Sequence, residues 1–271
     1  MRGDGFCLRQ TYLMKNTLAL TRAIAPACMT GARYCALALA AVAFLALDAS
    51  AAPPTSDAVP VHSTQGPTRT ADFAAAEPSA DTLHVANWIA DSGDNQGAPF
   101  IVVDKLHARA WVFGADARLR AVSPVLLGLA PGDYSVQGIG LRPMQDILPH
   151  ERTTPAGRFV AEPGRNLNGE DIIWVDYDAA VSMHRVRPNN PAEKRLERLA
   201  SPTPNDNRIS YGCINVPVAF YETYVSPIFA KGRAIIYVLP DSRTVQAVFG
   251  SYNVTIADAE PNDAPSEVAT R

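Results

Sequence analysis

Cysteine is scarce where a fold could use it. The 271-residue chain has four, and Cys7, Cys28 and Cys35 all fall within the first 51 residues, which leaves Cys213 alone in the remainder. An internal disulfide is thereby excluded from that remainder, and so is a zinc site built on paired cysteines. The five histidines, His62, His84, His107, His150 and His184, are scattered with no ligand spacing among them. We therefore expect no metal and no cofactor. Long apolar runs are also missing: Cys35 to Leu47 is uninterrupted but too short for the roughly 20 residues that span a bilayer. Charge of one sign is missing as well, since 24 Lys and Arg face 27 Asp and Glu, for a net charge of −3. Without a basic stripe interleaved with aromatics, nucleic acid is a poor partner. No internal repeat is visible.

What is present begins with an export signal. Arg33 precedes the apolar run and Asp48-Ala-Ser-Ala51 follows it, which gives a charged flank, an apolar core and a small-residue cleavage site after Ala51. Met29 offers an alternative start with a conventional charged flank. The expectation is a periplasmic or cell-envelope protein, monomeric, with no stable membrane span once residues 1–51 are removed. Residues 52–80 are mostly Ala, Pro, Ser and Thr. They offer too little apolar surface to offset their ordering entropy and read as a disordered tether. One domain of full core size follows over 81–240. Residues 241–271 read as a C-terminal extension, largely a disordered tail.

Within 81–240 the pattern is one of short apolar runs punctuated by Gly, Pro and Asp. Phe100 to Asp104 and Ala110 to Phe113 read as a strand pair joined through Lys105 to Arg109. Ala121 to Leu129, Gly157 to Ala161, Ile172 to Val175 and Ala234 to Leu239 read as further strands, and Ala179 to Met183 is strand-like. Helix is local. Asn190-Pro-Ala-Glu193 supplies a cap, a first-turn proline and a capping-box acid for a helix over Pro191 to Ala200. Val216 to Val225 is a second candidate, and Asp81 to Ala90 a third that would pack Leu83, Ala86 and Ala90 on the sheet. The fold class expected is mainly β with short helices, a β-sandwich or barrel.

A lone cysteine in an exported chain is either a small buried hydrophobe or a thiol kept for its reactivity. Gly212 before it and polar Ser210 and Asn215 around it favour the second reading. The thiolate is the nucleophile, and forming it near neutral pH calls for a neighbouring base, usually histidine. His62 lies in the tether, His84 on the first candidate helix and His107 in a hairpin turn. His150, in an irregular segment, is the one competitor to His184, which ends a strand-like run.

Ser210-Tyr-Gly-Cys-Ile-Asn215 with the upstream Met183-His184 resembles the active-site signature of the L,D-transpeptidase catalytic domain (YkuD-type). Thr154-Pro-Ala-Gly-Arg-Phe159 resembles a second element of that domain, and Ile101 to Asp104, Trp111 to Phe113 and Gly128 follow its first strands. The likeness runs from about Phe100 to Leu239. It implies a mainly-β L,D-transpeptidase-like domain in which Cys213 is the nucleophile and His184 its base. It further implies acyl transfer on peptidoglycan stem peptides through a Cys thioester, releasing a terminal D-amino acid. Backbone amides near Tyr211, Gly212 and Cys213 would receive the oxyanion, with Gly212 letting the backbone approach substrate. An L,D-carboxypeptidase or endopeptidase on the same scaffold, and a non-catalytic wall-binding module, stay open as alternatives.

The chain departs from that family at two places. Tyr211 stands where the family has a second histidine, and a long spacer of 25 residues separates His184 from Ser210. With His184 as base, Tyr211 would shape the oxyanion site; if both histidines are required, the domain is weak or inactive. The spacer carries Arg185, Arg187, Lys194, Arg195, Arg198 and Arg208. It is either a solvated surface insert or a lid whose guanidinium groups receive stem carboxylates. Arg208, Ser210, Asn215 and Arg185 are the candidate substrate-side residues, Ser210 and Asn215 serving more to hold the loop than to touch substrate.

Overall fold

The computed structural model describes residues 68–254. The export signal, the first part of the tether and the end of the tail lie outside the described residues. Ten strands carry the fold: β1 (Phe100–Asp104), β2 (Arg109–Phe113), β3 (Leu119–Pro124), β4 (Leu127–Gly128), β5 (Gly157–Arg165), β6 (Asp171–Asp176), β7 (Val181–Arg185), β8 (Arg208–Ser210), β9 (Ile214–Val216) and β10 (Ala234–Val238). Eight form one sheet in the order β3-β2-β1-β10-β5-β6-β7-β9, and β4 pairs with β8. The run Ala121 to Leu129, read from the sequence as one strand, is two. Pro124 has no N–H to give to the ladder, and β3 ends there. Beyond it Val125 donates to Ala108 O, and Leu126 exchanges backbone bonds with Asn215 on β9. The chain leaving one edge of the sheet thus bridges the other edge, and the sheet becomes barrel-like.

Side-chain alternation splits the interior in two. Ile101 and Val103 of β1, Val112 of β2, Ile236 of β10, Met183 of β7 and Ile214 of β9 face one core. That core is capped by a helical run comprising Val218–Phe220, a π turn Tyr221–Val225 and Ser226–Ala230. Phe100, Val102, Trp111, Phe113, Ile235 and Tyr237 face the opposite way, against helix α1 (Ala80–Ser92). β1 and β10 are therefore buried on both faces. Ser79 caps α1 by accepting from Thr82 N, and Gly93 closes it in the left-handed conformation. The buried face of α1 is Val85, Ala86, Trp88, Ile89 and Ala90, while Leu83 is exposed. Ala86 and Ala90 lie on the buried face as expected, and Trp88 and Ile89, in place of Leu83, complete it. Among the described residues no helix is long and apolar enough to cross a membrane.

Three boundaries differ from expectation. The predicted helix Pro191 to Ala200 is a 3-10 turn, Pro191–Glu193, and a separate helix α2, Arg195–Ala200, broken at Lys194 with φ 52°. Residues 71–76, placed in the tether, pack on the domain: Phe73 lies edge-on to Trp111 and Phe113, and Asp72 pairs by backbone bonds with Ala117 and Leu119. At the other end Val245–Phe249 is a helix, with Val245 buried and Phe249 stacked on Trp88.

Candidate active site

β7 and β9 run parallel, with Met183 opposite Ile214 and His184 opposite Asn215. Since Met183 and Ile214 face the core, alternation sends Ser182, His184, Cys213 and Asn215 to the other face together. Strand spacing and rise place a residue one strand across and two along at about 8 Å between Cα atoms, within joint reach of an imidazole and a thiol. Cys213 carries no disulfide and is half-buried. Its Sγ lies 3.6 Å from Ser182 Oγ and 3.9 Å from Ala180 O.

The imidazole of His184 is oriented from both ends. Nδ1 lies 2.8 Å from Arg185 O, and Nε2 lies 3.4 Å from Asn215 Nδ2. A carbonyl can only accept, so Nδ1 carries the proton of the neutral ring and Nε2 presents its lone pair. Asn215, fully buried, takes its own orientation from Arg195, whose Nη1 donates to Asn215 Oδ1 at 2.6 Å. The Asn215 amide nitrogen is thereby turned toward Cys213 O, at 3.4 Å, as well as toward His184.

The loop before Cys213 is tied down atom by atom. Ser210 Oγ donates to Cys213 O at 2.6 Å and accepts from Gly212 N at 3.1 Å. Thr154 Oγ1 donates to Gly212 O at 2.8 Å and accepts from Gly128 N at 2.9 Å. Gly212 has φ +131°, and a Cβ there would sit 2.8 Å from Thr153 O. The close approach at Gly212 is to the backbone of Thr153, and the Gly212 N–H donates to Ser210 Oγ. Tyr211 lies under the guanidinium of Arg152, 3.9 Å from ring centroid to Cζ, and Arg152 in turn donates to Ile147 O.

The charged candidates are engaged elsewhere. Arg185 pairs with Glu222 and Asp171 and stacks on Tyr221 at 4.1 Å. The hydrogen bond to Glu222 and the pairing with Asp171 raise the Arg185 pKa against the opposing effect of burial. Arg208 pairs with Asp241 at 2.7 Å in a buried network where Lys105 Nζ meets Asp133 and Asp241, each at 3.2 Å. Burial opposes the charge on Asp133, but hydrogen bonds from the backbone of Asp241, Ser242 and Arg243 and from the Ser242 hydroxyl outweigh it and hold the carboxyl well below its usual range. Arg187 pairs with Glu170, and Arg198 donates to the carbonyls of Glu193 and Asp206. The spacer's guanidinium groups therefore mostly meet the protein's own acceptors, unlike a lid open to stem carboxylates. His150 is exposed on a 3-10 turn, Pro149–Glu151.

Ser182, Thr154, Arg152 and Arg195 were not singled out as site residues from the sequence. Ser182 was within reach of the alternation argument, being two residues before His184, and Thr154 opens the Thr-Pro-Ala-Gly-Arg-Phe element. Nothing local distinguishes Arg152 or Arg195. Among the described residues no group of three His, Cys, Asp or Glu side chains is placed to hold a metal ion.

No protein-family model matches the chain. No curated protein matches it either. Among solved structures it is similar to the catalytic domain of an Enterococcus faecium L,D-transpeptidase, at 17% identity and TM-score 0.30, over 53% of this chain and 98% of that one. A mutant of the Enterococcus faecium L,D-transpeptidase matches at 16% identity and TM-score 0.28, over 52% of this chain and 50% of that one. A mutant of the helical cell shape determining protein Pgp2 from Campylobacter jejuni matches at 14% identity and TM-score 0.34, over 62% of this chain and 58% of that one.

Proposed function

We propose that the chain is an exported cysteine acyltransferase of the L,D-transpeptidase type, acting on peptidoglycan stem peptides in the periplasm or cell envelope. The observation that carries this reading is the shared sheet face of Cys213 and His184, with the Nε2 lone pair of His184 presented by the Nδ1 bond to Arg185 O. A thiol beside a base whose tautomer is fixed is the arrangement that nucleophilic catalysis requires.

In the first half-reaction the Cys213 proton moves to His184 Nε2 and Sγ attacks the carbonyl of the L-centre in a tetrapeptide stem. Collapse of the tetrahedral intermediate breaks the C–N bond. His184 returns the proton to the departing amine, so the terminal D-amino acid leaves neutral in proton balance and a thioester remains. In the second half-reaction an amine of another stem gives its proton to His184, attacks the thioester and restores the thiol. Backbone amides of the turn at Tyr211, Gly212 and Cys213 would receive the oxyanion, each such donor being worth about 3 kcal/mol in the transition state. Tyr211, fixed under Arg152, shapes that side of the site.

The test is steady-state release of the terminal D-amino acid from a tetrapeptide stem, with and without an acceptor amine. Wild type should turn over and Cys213→Ser should not, although both stay folded. Release that is indifferent to the acceptor would favour the carboxypeptidase alternative. Turnover retained in Cys213→Ser would end the cysteine-enzyme reading, and a folded, inert wild type would leave the wall-binding module.

A further inference from the structure

The β7–β8 insert contains one charged side chain that turns inward. Arg195 opens α2 and is 5% exposed, an environment in which an ionised group is costly unless it is paired and fully hydrogen-bonded. Its Nε donates to the carboxylate of Glu193 and its Nη1 to Asn215 Oδ1 at 2.6 Å. The break at Lys194, with φ 52°, redirects the chain between the 3-10 turn that carries Glu193 and the helix that carries Arg195. Around it the insert is anchored: Leu199 packs with Val186 and Leu126, and Asn207 Nδ2 donates to Val125 O at 2.9 Å. The neighbouring charges are paired among themselves, Arg185 with Asp171 and Glu222, and Arg187 with Glu170.

We propose that Arg195 is a positioning residue for the Cys213–His184 pair, acting through Asn215; the proposal rests on the reading of that pair given above. An asparagine amide can sit either way round, and the guanidinium removes the ambiguity because it has only donors to offer. Oδ1 must face Arg195, so Nδ2 faces Cys213 O and His184 Nε2. The reversed amide would set a carbonyl oxygen against the Nε2 lone pair and against Cys213 O, two repulsive contacts. The insert that lengthens the His184–Ser210 spacer thus delivers, from outside the sheet, the group that orders the site's central amide.

The experiment compares wild type, Arg195→Gln, Arg195→Lys, Asn215→Ala and the Arg195→Gln/Asn215→Ala double variant. The readouts are Tm, the pH profile of Cys213 alkylation by iodoacetamide, and kcat and KM on a tetrapeptide stem. A hydrogen bond from a charged donor corresponds to a loss of about 10- to 100-fold, which should fall on kcat with KM little changed. The alkylation profile should shift to lower pH in Arg195→Gln, because an amide free to turn can set Oδ1 against Nε2 and favour the protonated ring, and it should recover in part in Arg195→Lys. In the Asn215→Ala background, Arg195→Gln should add less than about threefold, because the intermediary is gone. An unchanged alkylation profile in folded Arg195→Gln, or full additivity in the double variant, overturns the proposal and leaves Arg195 as an anchor for the insert. Where Arg195→Gln does not fold, Arg195→Lys gives the same comparison, since it keeps the charge and loses the fork. Alkylation needs no peptidoglycan, so a wild type without turnover contradicts the functional reading alone, whereas an unmoved profile contradicts this one.

Discussion

Gly212 is a tight point of the candidate site. It meets Thr153 O from a backbone conformation that other residues rarely adopt, and Thr154 and Ser210 hold its carbonyl and amide. The sequence marked Gly212, Cys213 and His184 because residue type alone carries that signal. It could not show that the neighbours of Gly212 are Thr153 and Thr154, nearly sixty positions earlier, since that depends on how the sheet brings those segments together. The histidine assignment has a residue-scale test. With Nε2 as the acceptor, His184→Ala should lower D-amino acid release by about 10²- to 10⁴-fold. His150→Ala should leave it within a few fold, because His150 is exposed on its turn. Comparable losses at the two positions would remove the tautomer argument from the mechanism.

At the scale of elements, period-two alternation made most of the strands legible. β1, β2, β6 and β10 fall within a residue or so of their expected limits. What alternation could not give was partnership: β7 and β9 are parallel neighbours although 28 residues lie between Arg185 and Ile214, and that pairing assembles the site. Helix phase was legible in part. In α1 Ala86 and Ala90 are buried as expected, but the aromatic Trp88 and branched Ile89 fill the face where Leu83 was expected. The phase can be measured by urea unfolding. Ile89→Ala, at a fully buried position, should cost about 2–5 kcal/mol, whereas exposed Leu83→Ala should stay within about 0.5 kcal/mol. A larger loss at Leu83 would mean that α1 packs by the other face.

Across the whole molecule, the mainly-β class followed from the number and brevity of apolar runs, but the closing of the sheet did not, because it turns on Pro124 and the Leu126–Asn215 bridge. Arg195 was unreadable for a similar reason: a charged residue in a charged insert carries no local sign of burial. The Lys105–Asp133–Asp241–Arg208 network binds the β1–β2 turn, the loop after β4, the start of β8 and the segment after β10 into one body. Its pH signature follows from Asp133, whose folded pKa is depressed. The stability it contributes is fully present above its unfolded pKa of about 3.9 and is lost as pH falls below it. Asp133→Asn should therefore be less stable by about 3 kcal/mol at pH 7, and the gap to wild type should narrow below about pH 4. A gap independent of pH would mean the carboxylate charge is not what the network uses. All of this scaffolding serves one thiol. Intact-mass spectrometry of the protein mixed with a tetrapeptide stem, without acceptor, tests that claim most directly. The account expects a mass gain equal to the stem less the released D-amino acid, mapped to Cys213 and reversed by hydroxylamine. The absence of any adduct on a folded protein, or the same adduct on Cys213→Ala, would contradict it.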